Sequence, residues 1–339
     1  AFDLQSPDVY QYHLTLEREL PAGLLAGVSY LGATSRKLLV LSDRNTVRAA
    51  AEPLGDVDAD PAARARLPFP LYGTFMDVVD NAGEGQLHAL QLRLRRPFRG
   101  RLGFEAAYTL ARSQGTAPDT GNSTVGVIQY DPYDIEKDRG PDPYVPRHRL
   151  TLNAAVGMPG GLRLSALVQA RSGHFLTPFF SYGTSPVFPA NTARELDGIG
   201  CFCEAWRPDQ VGDPRPGGSR EAFFDPRAYA LPAPGTLGNA RRGSLVGPGT
   251  WVVSLALTRN LVTRGRFTAA ASLVLDNALN HPQFFVDHQG AGGFVDLTDH
   301  LLGGTADNGR LGHLGVDTVG NVEGFSAGRE VRVGLRLSF

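Results

Sequence analysis

"QLHALQLRLRRPFRGRLGFEAAYTLAR", residues 86–112, is the stretch that decides the fold. On its first arm Leu90, Leu92 and Leu94 share one parity, and Gln91, Arg93 and Arg95 the other. After "PFRG" the second arm sets Leu102, Phe104, Ala106, Tyr108 and Leu110 against Glu105 and Thr109. Successive side chains of a strand point to opposite faces, so each arm is a strand with one apolar and one polar face. The short link makes the two an antiparallel hairpin.

The same unit recurs along the chain. Strand 9–18 sets Tyr10, Tyr12, Leu14 and Leu16 against Gln11, His13, Thr15 and Glu17, and "ELPAG" turns it into strand 24–34 with Leu24, Ala26, Val28 and Tyr30 on one side. Strand 147–157 alternates Leu150, Leu152, Ala154 and Val156 with Arg149, Thr151 and Asn153. It passes through "MPGG" to strand 162–173, where Leu162, Leu164, Ala166 and Val168 oppose Arg163, Ser165, Gln169 and Arg171. Strand 250–259 carries Trp251, Val253, Leu255 and Leu257 and returns as 265–276. The terminal "REVRVGLRLSF", 329–339, adds one more, with Val331, Val333, Leu335, Leu337 and Phe339 on one parity. Helical periodicity is almost absent, and the 41 Gly and 24 Pro suit a strand-and-turn chain.

The connections are as informative as the strands. Links within each hairpin are short, whereas 35–85, 113–146, 174–249 and 277–327 are long. Ordinary domains rarely hold even one structureless loop beyond about 12–15 residues. Strict alternation of short and long suggests a sheet whose two ends face different surroundings, as in outer-membrane barrels.

A soluble sandwich also alternates, so alternation alone does not choose. Three features favour the membrane. The strands approach the ~9–11 residues of a bilayer crossing rather than the ~5–6 of a soluble strand. Tyr10, Tyr12, Tyr30, Tyr108 and Trp251 fall near the long-loop ends, and Phe98 and Phe339 near the short-turn ends, as two interfacial girdles would. All short turns also land on one side. No run of apolar residues is long enough for a spanning helix, which leaves a β-barrel open.

The expected architecture is therefore all-β: an antiparallel transmembrane β-barrel segment with long extracellular loops and short periplasmic turns. Its about 9–10 strands are too few and too odd to close in the usual even-stranded way. The chain starts "AFDLQSPDVY", without Met or a signal-like segment, so a processed or longer protein is expected. With a net charge of -1, nothing points to nucleic acid as a partner.

Five segments resemble a known family, the TonB-dependent outer-membrane transporters, and within it the Oar-like barrel group. They are "GQLHALQLRLRRPFRGRLGFEAAYTLARSQ" (85–114), "DPYVPRHRLTLNAAVGMP" (142–159), "GNARRGSLVGPGTWVVSLALTRN" (238–260), "LDNALNHPQF" (275–284) and "VGLRLSF" (333–339). The resemblance implies that 1–339 is the C-terminal part of a barrel of about 22 strands, whose plug and N-terminal strands lie outside these residues. It further implies a TonB-contacting segment and a carboxypeptidase-regulatory-like domain upstream. The terminal Leu335, Leu337 and Phe339 resemble the signal read by the barrel-assembly machinery.

Candidate sites follow from facing. Arg93, Arg95, Glu105, Arg149, Arg163 and Arg171 fall on the polar parity and are expected to line the lumen as a substrate path. Asp131, Asp134, Glu136 and Asp138, with Asp142, crowd "YDPYDIEKDRGPDP", where bound Ca²⁺ or a lipopolysaccharide-bridging cation is the alternative to a solvated acidic loop. Asp56, Asp58 and Asp60 imitate an EF-hand, but Pro61 and Leu67 stand where Gly and Glu belong. The eight histidines show no tight ligand spacing, and Cys201 and Cys203 read as a loop pair. Asn122-Ser123-Thr124 fits a glycosylation acceptor that a bacterial barrel leaves idle. No metal, cofactor or catalytic set is expected.

The expected function is uptake of a large or scarce nutrient, captured by extracellular loops and driven by TonB. The alternative is an anchored binding or adhesion surface in which the loops are the function. Expected partners are outer-membrane lipid and lipopolysaccharide, the assembly machinery, the TonB complex and an unknown substrate.

Overall fold

A computed structural model describes residues 4–45, 60–72, 76–117, 127–128, 130–180, 207–214, 223–233, 236–286, 289–290, 294–301, 311–313 and 328–339. Nine long strands form one antiparallel meander: β1 Asp8–Leu20, β2 Leu24–Asp43, β3 Asp77–Arg99, β4 Leu102–Gly115, β5 His148–Met158, β6 Leu162–Arg171, β7 Thr250–Arg264, β8 Phe267–Asp276 and β9 Glu330–Ser338. They lie in sequence order, each bonded to the next, and the two-residue strand Val127–Ile128 joins β2 in parallel at its outer end. Among the described residues the sheet is open, with β1 and β9 at its edges.

Register keeps the two parities apart across the whole sheet. Leu16, Val28, Leu92, Tyr108 and Leu150 are cross-strand partners in one row, and Glu17, Gly27, Arg93, Ala107 and Thr151 lie in the adjacent row on the opposite face. A globular sheet covers at least one face with another layer. Here every residue of β9 is exposed, and Leu14, Leu16, Val333 and Leu335 are more than 60% accessible. An apolar face with no covering layer is what lipid would cover.

The short turns do lie on one side. "PAG" and "PGG" form the same one, with Ala22 and Gly23 at φ 65° and 70°, and Gly160 and Gly161 at 74° and 75°. The long connections are less loose than their sequences suggest. β2 runs on to Asp43 and β3 begins at Asp77, so much of 35–85 is a strand pair rising above the aromatic level.

The later loops fold into a cap of their own. Phe175–Phe179 pairs with Leu245–Val246 and with Phe294–Asp296, drawing the β6–β7 and β8–β9 connections into one small sheet. Leu176, Phe224, Ala228, Tyr229, Ala240, Leu245, Val295 and Leu297 are buried beneath it, and Tyr130 and Phe180 form a second buried cluster with Leu231, Leu237 and Leu301 packed against it. Most of the buried apolar side chains thus belong to loops, whereas the strands keep their leucines outside.

Asp56, Asp58, Asn122–Thr124, Cys201, Cys203 and His288 lie outside the described residues. Asp60 caps the short helix Pro61–Ala65, accepting from the Ala62 amide at 2.8 Å.

Candidate functional site

The six lumen candidates share the polar face, and the structure sorts them by height. At mid-height Glu105 accepts from Arg93, Nη2 to Oε1 at 2.7 Å, and Arg95 reaches its other oxygen at 3.9 Å. Two cations thus share one carboxylate, leaving a net positive charge there. Nearer the long loops Arg149 and Arg171 are direct cross-strand partners in the row Thr109, Arg149, Arg171, Thr250. Like charges opposite each other destabilise a sheet unless water or an anion intervenes. Arg171 Nε donates to Thr250 Oγ1 at 3.0 Å, and neither arginine has a carboxylate partner among the described residues.

Arg163 sits nearest the short turns and stacks on Phe98, with its Cζ 4.7 Å from the ring centroid. This corrects the expectation that Phe98 joins the lipid-facing girdle. The β3–β4 register shifts between Arg96 and Arg99, and the one extra residue swings Phe98 onto the polar face. Glycine makes that possible: a Cβ on Gly103 would stand 2.7 Å from the Phe98 Cα. An open hollow of about 440 Å³ lies beside it, bordered by Arg95, Phe98, Glu105, Asn153, Ser165 and Ser254.

The aromatic candidates occupy the other face. Tyr10, Tyr12 and Tyr30 are exposed, Tyr108 is half-buried, and Trp251 packs against His281 at a tilt of 34° with centroids 3.9 Å apart. Tyr12 lies flat over Gly32 on β2, where any Cβ would meet the ring at 2.1 Å. At the inner end Phe339 packs on Phe267, centroids 5.6 Å apart, and Leu335, Leu337 and Phe339 are all exposed.

The acidic loop does not converge on one point. Lys137 Nζ binds Asp131 Oδ2 at 2.6 Å, Asp134 caps the turn at Ile135–Asp138, and Glu136 takes two bonds from Arg139 at 2.6 and 2.9 Å. Asp138 is engaged most deeply. It accepts from Arg207 Nη2 at 2.5 Å and from the Tyr130 amide at 2.8 Å, while Arg207 lies over the Tyr130 ring at 4.4 Å. Arg242 donates to the Asp138, Gly140 and Pro141 carbonyls at 2.5, 3.0 and 3.2 Å. Burial pushes the Asp138 carboxyl up and the two guanidiniums pull it back; burial also lowers Arg242 to about 10. The cluster pins the β4–β5 connection to the β6–β7 connection.

Sequence inspection did not find Arg207, Arg242 or this pinning role for Asp138. Partners here are 69 to 104 residues apart, and no spacing rule links them.

A one-layer antiparallel wall, apolar outside and charged inside, with short turns at one end and a folded cap at the other, defines an outer-membrane barrel. Residues 1–299 match the family described as "Outer membrane beta barrel domain", and the chain belongs to it. No curated protein matches the chain in sequence. Among solved structures it is similar to the outer membrane transporter YddB from Escherichia coli, at 10% identity and a TM-score of 0.51, covering 100% of this chain and 33% of that one. The FrpB iron transporter from Neisseria meningitidis aligns at 11% identity and a TM-score of 0.44, over 98% of this chain and 31% of that one. The ferripyoverdine receptor of Pseudomonas aeruginosa aligns at 10% and 0.41, over 86% and 26%. The chain thus spans about a third of the length of the first of these. The protein is located in the outer membrane.

Proposed function

We propose that this domain is the C-terminal part of the wall and cap of a TonB-dependent transporter that imports a large or scarce nutrient. The charge arrangement on the polar face carries the reading. Six charged candidates run from Arg149 and Arg171 near the cap, past Arg93, Glu105 and Arg95, to Arg163, all on one face with a cationic excess. A lumen so lined favours anionic cargo or an acidic plug surface. Capture falls to the cap, whose own core holds a surface ready at the outer end of that path. The open edges at β1 and β9 pair with strands of a longer chain in this reading, and the TonB contact lies outside these residues.

The full-length protein, expressed in its native outer membrane, tests this with labelled ferric chelates and oligosaccharides as probes. Uptake of one probe that stops when TonB is deleted, and falls in Arg149→Glu/Arg171→Glu, supports the reading. Surface binding without TonB-dependent entry for any probe supports instead the anchored binding surface, which the pre-folded cap equally suits.

A further inference from the structure

On the lipid-facing side the transition from apolar to polar is marked by a motif that occurs twice. Tyr30 on β2 hydrogen-bonds His88 Nδ1 on β3 at 2.7 Å, with rings 6.2 Å apart and 22° from parallel. Tyr108 on β4 does the same with His148 Nδ1 on β5, also 2.7 Å, with 6.1 Å and 27°. The register is identical. Tyr30 faces Leu90 and Tyr108 faces Leu150, so each histidine stands two residues before its tyrosine's partner.

Between the two units lies Arg112. It is the direct cross-strand partner of His88, and His148 faces Leu110, two residues away on the same strand and face. Adjacent strands are ~4.8 Å apart, so the two imidazoles and the guanidinium span ~10 Å across three strands. All three side chains are exposed, and Arg112 makes no ion pair among the described residues. Leu14, Leu90 and Leu110 continue the same face in the row of His148, and Leu16, Val28 and Leu92 lie in the next row towards the short turns, all exposed. Interfacial aromatic belts account for tyrosines at this height. They do not account for a histidine–arginine pair with a second histidine beside it, one row lower on the next strand.

We propose that His88, Arg112 and His148 hold the phosphate of a phosphorylated glycolipid of the outer leaflet, with its acyl chains on the leucine rows beneath. A tyrosine hydroxyl donating to Nδ1 leaves the Nε2–H of each ring as a hydrogen-bond donor. Two such donors flanking an unpaired guanidinium match the oxygens of a phosphate monoester. Charge above and hydrocarbon below select an amphiphile over a free ion.

Native mass spectrometry of the full-length protein in non-ionic detergent tests the site, with bisphosphorylated lipid A, its dephosphorylated form and inorganic phosphate as probes. The wild type retains the bisphosphorylated lipid, and dephosphorylation weakens retention about tenfold, the equivalent of ~1.4 kcal/mol. Arg112→Gln, and separately His88→Gln/His148→Gln, produce the same loss and add little to dephosphorylation, while heat-modifiable migration stays normal. Equal retention of both lipids by the wild type overturns the proposal. So does undiminished retention by whichever variant folds, or displacement of the lipid by millimolar inorganic phosphate.

Discussion

The wall and the cap are built from one chain on opposite plans. In the wall, β1 to β9 leave leucines and valines uncovered on one face and place charges singly or in pairs on the other. In the cap, the long connections bury Leu176, Phe180, Val295 and Leu297 almost completely and enclose an ion cluster at Asp138. The wall borrows its hydrophobic solvent from lipid; the cap has to make its own. Side-chain interactions that decide the cap's stability therefore count for little in the wall, where closure of backbone hydrogen bonds dominates.

The largest expected effect breaks the cap and spares the wall. Arg207→Ala leaves Asp138 charged and buried with only part of its compensation, a change that costs about 3–5 kcal/mol. Limited proteolysis and hydrogen exchange of the folded protein should show the 130–147 and 207–246 segments opening together. Heat-modifiable migration of the barrel should be unchanged. Loss of that migration would mean that cap and wall fold as one unit.

Next comes a test within the wall, between neighbours on β7. Leu255 is on the lipid-facing parity with Trp251 and Val253, and Ser254 on the lumen face in the row of Glu105 and Asn153. Leu255→Arg should cost about 2–4 kcal/mol in refolding into vesicles, whereas Ser254→Arg should cost close to nothing. Equal costs would remove the assignment of faces.

How much of this was legible beforehand depends on the range of the interaction. Alternation is local, so Leu90–Leu94 against Gln91–Arg95 revealed strand, facing and hairpin partner at once. For the same reason alternation alone puts Arg93, Arg95, Glu105, Arg149, Arg163 and Arg171 on one face of the sheet. Phe98 did not, because parity fails across the shift between Arg96 and Arg99 and nothing local marks where an extra residue goes. The cap was illegible for a different reason. Its strands are two to five residues long, too short for a period, and Asp138 meets Arg207 across 69 residues of chain. The acidic residues of the 131–138 stretch cap its turn and pair with Lys137, Arg139 and Arg207, the last of which no local pattern announces.

A smaller effect separates the two twin turns. Ala22 holds φ 65° where its counterpart Gly160 holds 74° without a side chain to resist it. An L-residue there costs about 1 kcal/mol, so Ala22→Gly should stabilise the β1–β2 hairpin by up to about that amount, read from urea-dependent refolding into vesicles. Gly160→Ala should lose a similar amount.

The smallest expected effect lies where cap meets wall. Arg139 bonds Glu136 in the cap and also Glu84 on β3, tying the acidic turn to the top of the sheet. Its hydrogen bonds hold the Glu136 carboxyl below the usual glutamate value. The folded pKa is lowered, so the tie's contribution is present above the ordinary carboxylate range and is lost as pH falls through the lowered value. Because Glu136 is exposed and Arg139 partly so, that contribution is about a few tenths of a kcal/mol. A carboxyl-carbon NMR titration in micelles should place Glu136 below an ordinary glutamate and return it towards normal in Arg139→Gln. An unshifted Glu136 in the wild type would mean that Arg139 does not couple the cap to the wall in solution, and that the Asp138 cluster alone holds the acidic turn in place.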